Sequence, residues 1–346
     1  MKKILIWLSG GVDSAVAAYL LKEQWYEVVA GFMKNYVDEE NPNCSTYQDA
    51  KEAIKVAEFL WLKIMSFDLR EEYEEKIVKY IYEWYEKWIT PNPDILCNSL
   101  IKFDVFLDKA LKLWFDWIAM WHYARIENSD WNYRLLRGLD HNKDQSYFLS
   151  WLNQYQLSKA LFPIWWMEKS EVREIAKKIN LPNADRKDSQ WLCFIWKVPM
   201  REFLKKRLPV KKWDIVLVDW TKVWEHEWAY LFTIGQSRGI DINKKAYVVN
   251  IDVKKNLVIV SYDKKEPDLT TKEVKTKNWH WIWKKYSLPL ECNTKIRYRQ
   301  EPNPATMILD WDTIKFQYTE DQWWIAPGQS VVAYVWEECI WWGVIE

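Results

Sequence analysis

The chain has 346 residues, with 49 Lys+Arg against 49 Asp+Glu, so net charge announces no nucleic-acid partner. Hydrophobic residues are 49% and charged residues 28%, which excludes a disordered chain and, at roughly 150 residues per domain, suggests two or three domains. The longest apolar runs, residues 4–8 and 339–342, are too short to cross a bilayer, and Met1-Lys2-Lys3 precedes too few apolar residues for a secretory leader. Five Cys in a chain this long make no disulfide scaffold, so the expectation is a cytoplasmic protein with reduced thiols.

In chain order, the pattern predicts a strand at 3–8, a helix at 15–24, a strand at 27–33, a helix at 46–60 and a strand at 63–68. A long charged helix at 69–87 and a further strand at 117–120 follow. This βαβα alternation predicts a parallel sheet with helices on both faces, whose ligands bind beyond the carboxyl ends of the strands. Residues 169–212 carry 13 Lys/Arg against 5 Asp/Glu, which reads either as a solvated helix face or as a phosphate-backbone footprint. From about Trp213 the pattern becomes short alternating runs (214–218, 246–253, 257–262, 313–318 and 330–336), predicting small barrels, with 263–277 as a linker between two of them.

The composition holds one anomaly: 27 Trp and 8 Gly, where average usage of about 7% would give roughly 24 Gly. Trp25, Trp61 and Trp88 each follow a helical pattern, at the position where the backbone turns left-handed and glycine fits for want of a Cβ. Trp220, Trp224 and Trp228 stand in turn-like contexts, and the doublets Trp165-Trp166 and Trp341-Trp342 read as loops. The hypothesis is that many of these residues are glycines in the living protein, through a genetic code that reads UGA as glycine.

The sharpest motif is Ser9-Gly10-Gly11-Val12-Asp13-Ser14, between a buried strand and a helix start. Backbone N–H groups there form an anion nest reinforced by the helix dipole, and the two serines can donate to phosphate oxygens. No Gly-Lys-Ser/Thr follows, and the glycine spacing is not that of the dinucleotide fingerprint. Pro91-Asn92-Pro93-Asp94 then leads to Cys97, placed where a helix could resume at Asn98. A thiol at a helix N-terminus gains thiolate character, and Asp94 is close enough in sequence to exchange a proton. A second thiol, Cys193, lies in Asp188-Ser189-Gln190-Trp191-Leu192-Cys193-Phe194-Ile195. Taken alone, either cysteine also reads as a small buried hydrophobe.

The loop resembles the signature of ATP pyrophosphatases. With the stretches 90–98, His122-Tyr123-Ala124-Arg125, Lys143-Asp144-Gln145-Ser146-Tyr147, Leu161-Phe162-Pro163, 188–195, Thr233-Ile234-Gly235-Gln236, Arg297-Tyr298 and Pro327-Gly328-Gln329, the sequence resembles the tRNA-specific 2-thiouridylase (MnmA) family over essentially its whole length. Several Trp, including Trp7, Trp88, Trp121, Trp191, Trp341 and Trp342, fall where the family pattern carries Gly.

The resemblance implies an α/β N-terminal domain with a parallel sheet, of the adenine nucleotide alpha hydrolase-like type, with a helical tRNA-binding extension (1–205). A β-rich central domain (206–268) and a C-terminal β-barrel (269–346) follow. It implies ATP as cosubstrate with Mg2+, tRNA as substrate, and a sulfur-donor protein, either a persulfide relay or a cysteine desulfurase. ATP adenylates the uracil C2 oxygen, and sulfur arrives as a persulfide on Cys193. Cys97 helps release it through a transient disulfide, and Asp94 accepts a proton. Trp7, Leu8, Ser9, Gly10, Gly11, Val12, Asp13, Ser14, Met33 and Trp121 match the ATP contacts. Asn92, Pro93 and Asp94 match the residues facing the target base. His122, Lys143, Asp144, Gln145, Arg297, Tyr298 and Gln329 match tRNA contacts. Two other readings stay open: another ATP pyrophosphatase, such as an amidotransferase-type ligase, or a tRNA-binding homologue blocked by real indoles at positions 7 and 121.

Overall fold

The computed structural model describes residues 1–37, 45–87, 89–130, 132–187, 200–209, 212–227, 232–240, 242, 244–252, 255, 257–264, 266 and 269–346. Its N-terminal sheet is parallel, built from β1 (Lys3–Trp7), β2 (Glu27–Lys34), β3 (Ile64–Asp68), β4 (Trp117–Ala119) and a short strand Ala160–Leu161, in the order β3-β2-β1-β4 and then the short strand. The central strand β1 is apolar and buried from Ile4 onward because both of its faces are covered. Ile4 and Ile6 point into the core beneath helices Val12–Glu23 and Lys169–Lys178, and Leu5 and Trp7 into the core on the other face. That second core is lined by the helical stretches 70–86 and 93–112. Pro93 opens the latter helix at its first turn, where its missing N–H is no loss.

A hairpin follows β4: β5 (Ala124–Ser129) and β6 (Asn132–Arg137). It was not legible as part of any sheet in the sequence. In the structure it extends the C-terminal barrel, of which the last strand, Glu338–Ile345, pairs with β6 through Glu338↔Leu136 and Cys339↔Leu135. The central unit is a four-stranded sheet of Trp213–Leu217, Lys222–His226, Tyr247–Asp252 and Leu257–Ser261. The barrel proper runs Thr270–Trp281, Thr313–Trp323, Asn303–Asp310, Leu290–Lys295, Ser330–Val335 and Glu338–Ile345, and pairing of its first and last strands closes it. Closure leaves no open edge among these strands. The linker expected over 263–277 is corrected: Thr270–Trp281 is a barrel strand, whose lysines at 272, 275 and 277 face solvent while Val274 and Thr276 face inward.

The tryptophans divide sharply. Ten described non-glycine residues have positive φ, and seven of them are Trp: 25, 61, 114, 220, 311, 324 and 336. Trp61 and Trp114 sit just past helix ends. The residue after each donates to a carbonyl five residues back (Leu62 to Ala57, Phe115 to Ala110), and the Trp itself donates three back, which is the Schellman closure. Asn180 occupies the same place after helix Lys169–Lys178, as Asn can. Trp311 and Trp336 are the first loop residues of two-residue hairpins, between paired Asp310 and Thr313 and between paired Val335 and Glu338. Two expectations are corrected. Trp224 lies inside the strand Lys222–His226, not in a turn, and Trp341-Trp342 lie in the last barrel strand, with Trp341 fully buried. Trp88, Trp191 and Trp228 lie outside the described residues.

Candidate active site

The phosphate-type loop is where β1 hands over to helix Val12–Glu23. Gly10 has φ +79°, and a Cβ there would stand 2.7 Å from the Asp49 carbonyl oxygen and 2.8 Å from Arg186 Nη1, so no larger residue fits. The serines tie the loop shut. Ser14 Oγ donates to the Gly11 carbonyl at 2.9 Å and lies 3.2 Å from Ser9 Oγ, while Gly11 N–H donates to Ser9 Oγ at 3.2 Å. Leu8 and Val12 are buried in the core, and Met33 is buried in β2.

Three residues that the sequence reading missed hold this loop from outside. Asn183 Nδ2 (2.8 Å) and Arg186 Nη1 (3.0 Å) both donate to the Gly10 carbonyl, and Arg186 also pairs with Asp49. Lys169 Nζ reaches Asp13 at 2.5 Å, and Tyr123 Oη donates to the same carboxylate at 3.0 Å. Their only sequence signal was the basic stretch 169–212. Other described cations of the stretch are engaged within the protein: Arg173 donates to the carbonyls of Ala184 and Arg186, and Arg207 pairs with Glu74.

Beside the loop, at the carboxyl ends of β1 and β4, Trp7 and Trp121 pack against each other with ring centroids 4.3 Å apart. Lys102 Nζ lies 5.0 Å over the Trp7 ring, and the Trp121 plane lies parallel to His122. Lys102 is 3% exposed and comes from the same helical stretch as Cys97. His122 Nε2 is 3.1 Å from Asn98 Oδ1, while its Nδ1 is buried with no hydrogen-bond partner. Burial first, and the neighbouring Lys102 cation second, push the His122 pKa well below the ordinary value, so the ring is neutral.

The segment 90–98 faces this region. Its helix starts at Pro93, so Cys97 is not the N-terminal residue the sequence suggested. It lies one turn in, 1% exposed, with its N–H already bonded to the Pro93 and Asp94 carbonyls. The macrodipole falls off within the first turn, so the helix terminus gives this thiol little thiolate character. Asp94 and Cys97 are three residues apart on one helix and share a face. Asn98 Nδ2 bonds the Asp94 and Phe148 carbonyls, fixing the turn on which they sit. Cys193 lies outside the described residues. No disulfide occurs among the described residues, which do not include Cys193, so the structure gives no support to the expected disulfide.

Of the residues matched to tRNA contacts, Gln329 and His122 reach this segment, and several of the set do internal work. Gln329 Nε2 donates to the Thr90 carbonyl at 2.9 Å, and Arg297 donates to the carbonyls of Ile234 and Trp324. Tyr298 packs on Phe148 at 4.3 Å, and Tyr147 Oη donates to the Ser330 carbonyl at 2.9 Å. Thr90 and Thr233 join through their hydroxyls at 2.9 Å. All three structural units therefore meet at 90–98. Gln145 Oε1 accepts from the Tyr123 N–H. Asp144 is 2% exposed and accepts from the N–H groups of Gly138 and Ser146 and from Arg137, with Lys295 Nζ at 3.6 Å. Lys143 is half-buried beside it.

A parallel sheet with a glycine cradle at the end of its central strand, followed by a β-rich unit and a closed barrel, defines a nucleotide-binding α/β protein of the ATP-pyrophosphatase class. Family models agree along the chain: the tRNA methyl transferase HUP domain matches residues 2–197, its PRC-barrel domain 201–262, and the aminomethyltransferase beta-barrel domain 271–345. The tRNA-specific 2-thiouridylase MnmA of Nitrosomonas europaea is 41% identical over 99% of this chain and 98% of its own length. That of Proteus mirabilis is 40% identical over 100% and 97%. The chain belongs to the tRNA-specific 2-thiouridylase family. No described helix is long and apolar enough to cross a membrane.

Proposed function

We propose that the chain thiolates C2 of a tRNA uridine at the wobble position, at the expense of ATP. The observation that carries this reading is the full-length relationship at about 40% identity, including the loop, the 90–98 segment and the barrel. The Ser9–Ser14 cradle fits the pyrophosphate end of ATP, since its left-handed Gly10 admits no Cβ and its N–H groups open a helix. A Mg2+ ion would ride on the phosphates, with Asp13 the loop's own carboxylate.

Chemically, an amide-like uracil oxygen leaves poorly until it is adenylated. Attack of O2 on the α-phosphorus expels pyrophosphate. The terminal sulfur of a persulfide on Cys193 then adds to C2 and AMP leaves. Cys97 thiolate attacks Cys193 Sγ, freeing the thiocarbonyl and forming a disulfide that an external thiol reduces. Asp94, on the Cys97 face of the helix, is the proton acceptor. tRNA would be held by phosphate contacts from local cations and by the 90–98 segment, and the sulfur would come from a donor protein. Cys97→Ser and Cys193→Ser should each abolish thiolation with ATP binding intact. Full activity in either variant removes that residue from the mechanism.

One observation favours a second reading. The Trp7–Trp121 pair fills the space beside the cradle, and if both indoles are real the chain is a tRNA-binding homologue that cannot admit ATP. ATP–pyrophosphate exchange separates the readings: exchange only with tRNA supports the thiolase, exchange with a small-molecule acceptor another ATP pyrophosphatase, and none the blocked homologue.

A further inference from the structure

We infer that the native chain carries glycine at positions 25, 61, 114, 220, 311, 324 and 336, and also at 7 and 121, where the loss of two indoles opens the nucleotide cavity. Backbone conformation carries the first set. Every described non-glycine residue at positive φ is either Trp or Asn/Asp. Asn and Asp tolerate the left-handed region because their short polar side chains bond locally; an indole has no such compensation. The chain has 19 Tyr and 12 Phe, equally bulky aromatics, and no described one adopts positive φ. A fold that tolerated bulk in these slots would place some of them there. The slots are also those that glycine fills for a reason: Schellman closures at 61 and 114, and hairpin loops at 311 and 336. Nor do these side chains gain burial, since Trp25, Trp61, Trp114, Trp311 and Trp336 are all more than 80% exposed.

The second set rests on packing. Trp7 ends β1, two residues before Ser9, and Trp121 lies just past β4, at the carboxyl ends where ligands of parallel sheets bind, and the two indoles pack on each other. Glycine at both positions vacates the space beneath Lys102 Nζ and beside the His122 ring. A code that reads UGA as glycine accounts for both sets at once. The test is peptide mass spectrometry of the protein purified from its own cells. Glycine masses at the nine positions are expected, and tryptophan masses there overturn the inference. ATP titration of recombinant chains with Trp or Gly at 7 and 121 tests the cavity separately. Binding by the Gly form alone supports it, and equal binding by both overturns it.

A different observation supports a second assignment, which rests on the adenylation reading. The cradle contains no lysine or arginine, yet pyrophosphate is highly charged. The geometry points to Lys169 and Arg186 as the cations that bind the departing pyrophosphate. Both are hydrogen-bonded to loop atoms, Lys169 to Asp13 and Arg186 to the Gly10 carbonyl. Arg186→Gln and Lys169→Gln should raise KM for ATP at least tenfold and weaken pyrophosphate inhibition, with a smaller effect on kcat. Asp49→Asn removes the partner of Arg186 and keeps the guanidinium, so it should leave KM for ATP unchanged. Equal damage from Arg186→Gln and Asp49→Asn would show that only the ion pair matters and overturn the assignment. If wild-type protein shows no tRNA-dependent exchange, the adenylation reading itself has failed.

Discussion

Asp144 matches a family tRNA contact, yet its carboxylate is buried and bonded on every side, and the two roles predict opposite outcomes for Asp144→Asn. The substitution leaves Lys295, itself 4% exposed, without its nearest carboxylate, and leaves Arg137 short of one acceptor. Burial already pulls the Lys295 pKa below the ordinary lysine value, with Asp144 the main opposing influence. Breaking a buried pair from one side typically costs about 3–5 kcal/mol, because the remaining charge stays uncompensated. The N–H groups of Gly138 and Ser146 keep a neutral acceptor in Asn, so the larger loss is ionic. Urea unfolding of Asp144→Asn, Lys295→Met and the double variant measures the coupling. The double variant should recover a substantial part of the loss, because it removes the orphaned ammonium. A single variant within about 0.5 kcal/mol of wild type, the range for surface changes, together with weaker tRNA binding, would refute the structural role and return Asp144 to the RNA interface.

Replacing Trp61, Trp114, Trp311 and Trp336 by Gly in the tryptophan-containing chain should raise stability by about 0.5–1 kcal/mol per site, since relief of left-handed strain exceeds the added chain entropy. Ala at the same sites should give no such gain, and thermal melts of the two series distinguish relief of strain from removal of indole. Gly10→Ala puts a Cβ against the Asp49 carbonyl at positive φ, so it should abolish ATP binding while far-UV circular dichroism stays unchanged. His122 is held neutral when folded and protonates when unfolded, so the unfolded state binds more protons below the ordinary histidine value of 6.5. Stability should therefore be level above about pH 6.5 and fall below it, by up to roughly 1.4 kcal/mol per unit. Chemical denaturation between pH 5.5 and 7.5 should show that slope, and His122→Gln should flatten it.

The inner strands β1 and β2 were readable because burial on both faces keeps them largely apolar, and the cradle because glycine and serine at fixed spacing leave few alternatives. The helix ends at Trp61 and Trp114 were readable only through the periodicity on either side, because a tryptophan at that position contradicts the left-handed geometry. What escaped was non-local. Nothing in the alternation of residues 124–137 says that this hairpin joins a sheet whose other strands begin near residue 270. Asn183 and Arg186 reach Gly10 across more than 170 positions, a contact that no local pattern encodes. Cys97 was placed by its proline-rich approach, but its depth in the helix depended on Pro93 being an acceptable first residue.

The pairing of β6 with the final barrel strand has a practical side. Arg134 with Glu338, Arg125 with Glu337, and the Arg137 N–H with the Glu337 carbonyl reinforce the seam. A chain truncated after residue 268 would strip β6 of its neighbour and display an unpaired strand edge to every other copy in solution. Excised fragments of this enzyme should therefore cluster through that edge, and a soluble nucleotide domain would require the hairpin to be removed with the barrel or its rim to be studded with lysines.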